Sequence, residues 1–277
     1  MDNRTRIINT VLCREVDRLP FFFYFGPWSE TIERWKTEGM EGENWHKYFD
    51  FDPGILSINV NLGYSPNFEY KKIEDKGDSI IIQDQLGIIQ QILKEGASIP
   101  NYISYPVKER KDWERLKHDR LDPNDPNRFP VNWNSYVKLY NEGNHAVQIG
   151  AYPYGLFGTV RDMMGVERLL ISFYDEPDLI HDIMDYLTDF WITIYEKICH
   201  DVKVDAIHMW EDMSGKNGSL ISPTMVKEFM VPNYKKIKAF ADTHHIPIFS
   251  LDTDGDCSEL IPLFLESGIN LIFPFEV

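Results

Sequence analysis

Apolar positions along the chain follow two rhythms. Short runs at residues 55–60, 146–150, 206–210, 248–251 and 269–273 are continuous or alternating over strand length, which predicts β-strands. Stretches at 159–172, 177–200, 223–243 and 257–266 repeat apolar residues every three or four positions and predict helices, with Pro177 in the first turn of the longest. From residue 146 onward the two kinds alternate, the pattern of a parallel sheet covered by helices. The amino-terminal half is less regular. It predicts a helix over 6–12 with Ile7, Ile8, Val11 and Leu12 on one face, a buried strand over the aromatic run 21–25, and a helix over 30–37. Between 68 and 93 the period shortens to β segments at 68–73, 79–83 and 88–93, separated by Asp75-Lys76-Gly77-Asp78 and by Gly87. This reads as a β meander at about 67–93, inserted into the main fold as decoration. A helix over 108–116 leads into a turn-rich connection at 122–128, where Pro and Asn break any helix.

Gly26, Gly155, Gly158, Gly215 and Gly255 follow strands, yet no GxGxxG or GxxxxGK[ST] occurs among them, which disfavours dinucleotide and P-loop sheets. The expected fold is a parallel α/β barrel forming one domain over 1–277. Its last strand is followed only by Phe275-Glu276-Val277, so the barrel reads as incomplete at its carboxyl end, with the last unit missing.

A formal net charge of −16 without a Lys or Arg run excludes nucleic acid as a partner. Cys13, Cys199 and Cys257 form no CxxC pair, which fits a reducing compartment. The first fourteen residues lack the apolar core of a leader, and no apolar run approaches the ~20 residues a membrane helix needs. A cytoplasmic location is expected.

In a barrel, reacting groups come from the carboxyl ends of strands. The strand at 206–210 carries His208 and ends in Glu211-Asp212, ahead of a loop holding Asn217. The strand at 248–251 continues into Asp252-Thr-Asp254, and a period of two turns Ser250, Asp252 and Asp254 to one side. Glu276, at a third strand end, is one more acid at the same rim. Converging acids either raise a pKa and hold a proton or bind a cation, so Glu211, Asp212 and Asp254 are candidate catalytic groups. His208, Glu211, Asp252, Asp254 and Glu276, with Cys257 a weaker addition, offer donors for Zn²⁺. Each also has a structural reading. Acids after strands cap helices, as Asp256 is placed to do, a lone His in an apolar strand is commonly core, and a lone Cys commonly packs as an apolar group. Phe25, Trp28, Tyr152 and Tyr154 are candidate walls of a substrate pocket, Asn217 a further substrate-binding candidate, and Arg161 a candidate partner for a carboxylate or phosphate.

Asp17-Arg18-Leu19-Pro20, Gly155-Leu-Phe-Gly-Thr159 before Met164-Gly165, Asp175-Glu-Pro-Asp178, Leu220-Ile-Ser-Pro223 and Asp254-Gly255-Asp256 recur in an order and spacing that resemble the uroporphyrinogen decarboxylase superfamily. The resemblance implies a (β/α)8 barrel and one of two chemistries: decarboxylation of a porphyrinogen, or methyl transfer between a small substrate and a corrinoid protein or thiol. The arginine-rich clamp of the true decarboxylases is replaced here by Phe25-Gly-Pro-Trp28-Ser-Glu30. The His-x-Cys zinc motif of the thiol-directed methyltransferases is replaced by Asp252-Thr-Asp254. What remains resembles the substrate-side, corrinoid-linked methyltransferases such as O-demethylases. The expected activity is therefore methyl transfer from a small donor, methoxylated compounds among the candidates, to a corrinoid carried by a partner protein, with Zn²⁺ as an optional Lewis acid. A decarboxylase of a less acidic substrate and a non-catalytic small-molecule-binding barrel are the alternatives.

Overall fold

The computed structural model describes residues 1–95 and 99–275. In chain order its strands are β1 (Ile55–Ser57), β2 (Lys71–Asp75), β3 (Ser79–Gln83), β4 (Ile89–Leu93), β5 (Asn101–Ser104), β6 (Ala146–Ile149), β7 (Ala206–Trp210), β8 (Ser214–Gly215), β9 (Gly218–Ser219), β10 (Ile248–Asp252) and β11 (Leu271–Phe273). The helices are α1 (Asn3–Val11), α2 (Ser29–Thr37), α3 (Trp45–Tyr48), α4 (Arg110–Arg120), α5 (Trp133–Glu142), α6 (Leu156–Met164), α7 (Val166–Asp175), α8 (Pro177–Asp201), α9 (Pro223–Met225), α10 (Val231–Thr243) and α11 (Ile261–Glu266). A π turn, Val226–Met230, joins α9 to α10. The predicted helix over 159–172 is two, because Gly165 adopts φ 82° and ends α6. Among the described residues no helix is long and apolar enough to cross a membrane.

Five strands form one parallel sheet in the order β1-β6-β7-β10-β11. This order follows the chain without reversal, as in an arc of a barrel, whereas a doubly wound sheet reverses at a switch point. The hydrogen-bonded sheet is open among the described residues. Its outer face, with Val147, Ile149, Ile207, Met209, Phe249 and Leu251, packs into the main core with α8 and α10. Along α8, Leu187, Trp191, Ile194 and Ile198 recur at helical spacing and are 0–1% exposed, each contributing about 2 kcal/mol of burial free energy. On the inner face Ile55, Ala146, Ala206, Ile248 and Leu271 meet Ile7 and Val11 of α1, which covers the amino-terminal end of the arc.

The aromatic run 21–25 is not the buried strand its hydrophobicity predicts. It is extended but unpaired, with Phe21, Phe23 and Phe25 more than half exposed and Phe22 and Tyr24 turned inward. Asp52 fastens its start: the carboxylate accepts the Phe21 N–H at 2.8 Å, and the Asp52 N–H donates to the Phe21 carbonyl at 2.8 Å. The outward rings find partners outside the sheet, Phe21 stacking on Phe51 and Phe23 meeting Trp45.

The meander is a four-stranded antiparallel sheet, β2-β3-β4-β5, one strand larger than expected. Its stems meet at Arg128, which is 2% exposed. The guanidinium donates to the backbone carbonyls of Asp122, Asn61, Gly63 and Arg120 at 2.7–3.1 Å and lies over the Phe190 ring.

Candidate active site

A cavity of about 560 Å³ opens at the carboxyl ends of the sheet strands. Its walls follow from the period of two: Ser57 from β1, Gln148 from β6, His208 and Trp210 from β7, and Asp252 from β10 all point to the inner face. Tyr24, Phe25, Tyr152, Asp212, Thr253 and Asp254 complete much of the rim. Among the described residues lining it there is no Lys or Arg.

Register sets the central pair. His208 lies opposite Ser250, and Asp252 lies opposite Trp210. His208 is 1% exposed, stacked against Phe273 at 5.2 Å between ring centroids, and its Nδ1 is 2.9 Å from the Ser250 hydroxyl oxygen. That hydroxyl donates to the Ile207 carbonyl at 3.2 Å, which assigns the imidazole proton to Nδ1 and leaves the lone pair on Nε2. Nε2 is 3.9 Å from Asp252 Oδ2. Burial holds the His208 pKa down at about 4. Burial also pushes the Asp252 carboxyl up to about 7, helped by the charges of Glu211, Asp212 and Asp254 and opposed by the Glu211 N–H, which donates to Oδ1 at 3.3 Å. Near neutrality the proton of this pair therefore resides on the acid, beside an uncharged imidazole.

Glu211 and Asp212, adjacent in sequence, part company. Glu211 is wholly buried and turned away from the cavity. Its carboxylate accepts the N–H groups of Leu156, Phe157 and Gly158 at the start of α6, at 2.9, 2.6 and 3.3 Å, and the Tyr234 hydroxyl of α10 at 2.7 Å. The expectation that it serves as a cavity acid or metal ligand is corrected: four donors occupy its oxygens, and it pins two helices to the end of β7. Burial nonetheless pushes its pKa up to about 7. Asp212, at φ 43°, turns toward the cavity, and Arg161 holds both its carboxylate and its carbonyl at 2.8 Å while lying over the Trp210 ring at 4.7 Å. Arg161 thus serves Asp212 rather than lining the cavity.

The close approach of α6 to β7 rests on glycine. A Cβ at Gly155 would lie 1.8 Å from the Trp210 carbonyl oxygen. Gly155→Ala is expected to lower the melting temperature by about 5 °C, from overpacking of about 2 kcal/mol. An unchanged melting curve would show that α6 can move away without loss.

Of the other expected pocket residues, Phe25 and Tyr152 line the cavity, whereas Trp28 stands 73% exposed ahead of α2 and Tyr154 faces a separate small cavity under the meander with Leu62 and Thr159. Asn217 is exposed in the β8–β9 turn. Cys257 is 4% exposed, and burial pushes its thiol pKa up, the opposite of an activated thiol. Gln148 and Ser57 were not expected. Gln148 Nε2 lies 2.7 Å from the Tyr24 hydroxyl and 3.1 Å from the Ser57 hydroxyl. Their signal was the one that marks His208, a polar residue within an apolar strand.

Glu276 lies outside the described residues. Among those described, no three His, Cys, Asp or Glu side chains are gathered to hold a metal ion. Of the set expected from the sequence, His208, Asp252 and Asp254 line the cavity and Glu211 is committed elsewhere, and the described residues alone do not make a zinc site.

Residues 78–272 match the pattern that defines the family described as uroporphyrinogen decarboxylase (URO-D). A methyltransferase from Methanosarcina mazei has a similar fold, with a TM-score of 0.55 at 13% identity over 98% of this chain and 75% of that one. No curated protein sequence matches the chain.

Proposed function

We propose that this chain, which belongs to the uroporphyrinogen decarboxylase (URO-D) family, is a cytoplasmic methyltransferase that moves a methyl group from a small donor to a corrinoid carried by a partner protein. The observation that carries this reading is the buried pair of Asp252 and His208, 3.9 Å apart, with the acid pushed up to about 7 and the imidazole held down at about 4, in a cavity that no described Lys or Arg lines. A polycarboxylate would find no counter-charge on such walls, which argues against decarboxylation of a porphyrinogen. The fold shared with a methyltransferase supports the same direction.

A methyl group leaves oxygen or nitrogen readily when that atom holds a proton as the bond breaks. Asp252 Oδ2 is the group positioned to share that proton, and buried general acids contribute about 10²–10⁴ in rate. The carbon–heteroatom electron pair passes to the leaving atom, and Asp252 is left as the carboxylate. The cob(I)alamin acceptor supplies the electron pair that forms the new bond to the methyl carbon. His208, held neutral by burial, places no competing positive charge beside the carboxyl. The cavity volume suits a small donor and not a corrinoid ring, so the acceptor would approach across the rim, past the exposed Phe25 and Tyr152.

Incubation with a panel of methoxylated and N-methylated donors is expected to methylate cob(I)alamin, read as loss of the reduced corrinoid absorbance. Carbon dioxide released from a carboxylated compound, with no methyl transfer from any donor, would turn the reading to a decarboxylase. Binding of a donor without either product would leave a binding barrel.

A further inference from the structure

We propose that the donor taken by this cavity is a methylated ammonium, its nitrogen against Asp252 and its methyl groups against the aromatic walls. The inference rests on the methyl-transfer reading for the donor's role, but its binding can be measured alone. Two polar atoms on buried residues face the cavity, Asp252 Oδ2, on a residue 7% exposed, and His208 Nε2, on one 1% exposed, while Asp252 Oδ1 accepts the Glu211 N–H and His208 Nδ1 meets the Ser250 hydroxyl. Their 3.9 Å separation is too long for a bond between them and leaves both directed at an occupant. An ammonium brings its own proton, and its charge draws Asp252 into the carboxylate form, so for this donor Asp252 Oδ2 accepts the N–H and holds the cation rather than protonating it, where an ether oxygen would need the acid as a donor.

The walls favour positive charge. Asp212, Asp252 and Asp254 line the cavity with Tyr24, Tyr152 and Trp210, and rings combined with carboxylates recognise alkylammonium ions. The protein shows the arrangement internally, where the Arg161 cation sits between the Asp212 carboxylate and the Trp210 ring, and Lys117 between the Asp182 carboxylate and the Tyr186 ring. On transfer, the C–N electron pair stays with nitrogen, which leaves as a neutral amine with its proton, while the cob(I)alamin electron pair forms the new bond to carbon.

The test is calorimetric titration of the protein with trimethylammonium chloride, with tert-butanol as a neutral near-isostere and pivalate as an anionic one, at matched ionic strength. Trimethylammonium is expected to bind at least tenfold more tightly than tert-butanol, with pivalate not binding, and Asp252→Asn, checked for an unchanged melting curve, is expected to erase the advantage. Equal binding of tert-butanol, preference for pivalate, or an undiminished preference in Asp252→Asn would overturn the assignment. Trimethylammonium binding without methyl transfer from any donor would remove the methyltransferase reading and leave the ammonium site. Turnover of methoxylated donors with no trimethylammonium binding would do the reverse.

Discussion

Asp252→Asn is expected to lower methyl transfer to cob(I)alamin by about a hundredfold or more at pH 7, the range lost when a positioned acid is removed. Asn keeps the size of the side chain and an oxygen to accept the Glu211 N–H, but it has neither an acid proton to share with a leaving oxygen nor a negative charge to hold an ammonium. The fold should tolerate the change. With its folded pKa raised to about 7 from 3.8, Asp252 carries no ionisation penalty below about pH 4, and wild-type stability is lost as pH rises from there through 7. Asn escapes that loss, so the variant should match or exceed the wild type in melting temperature at pH 8, by a margin that narrows toward pH 5. A fully active variant would remove Asp252 from the reaction.

The second large effect is on folding. Glu211→Ala would leave three buried backbone N–H groups and the Tyr234 hydroxyl without acceptors. At roughly 1 kcal/mol or more for each, the expected cost is about 4 kcal/mol, a fall of about 10 °C in melting temperature. Burial raises the Glu211 pKa from 4.5 to about 7, so the wild type itself loses stability as pH rises through that window. The gap between wild type and variant should therefore be wider at pH 5 than at pH 8. A variant that melted like the wild type yet transferred no methyl groups would return Glu211 to the reacting set.

These two acids show what the sequence can convey about a site. Asp252 was legible because the period of two in a strand assigns it a face, and that face carries His208 and Ser250 in register. Glu211 was misplaced for the same reason read too loosely: its neighbour Asp212 faces the cavity, and an adjacent residue must then face the helices. Which acid goes inward depends on α6 arriving with free N–H groups, a tertiary event that no local pattern announces. Strands and the long α8 helix were plain in the apolar rhythm, and the β-α alternation sufficed for the fold class. The run 21–25 was not, because hydrophobicity does not say whether a ring packs inside the sheet or against Trp45 and Phe51 outside it. Helix α5 and strand β5 were also missed. The first residues of α5, Trp133-Asn-Ser, resemble the turn before them, and the apolar side chains of β5 are largely exposed.

Arg128 gives the meander a particular standing in the molecule. One guanidinium grips the chain on leaving β1, at Asn61 and Gly63, and again on its return, at Arg120 and Asp122. The two ends of the excursion are thus clasped at a single point, but between them Val107, Trp113 and Leu116 are built into the main core, and only the exposed Asp75-Lys76-Gly77-Asp78 turn is detached from it. The replaceable part is that hairpin tip: the place where an insertion or a reporter would be accepted while the cavity kept its shape.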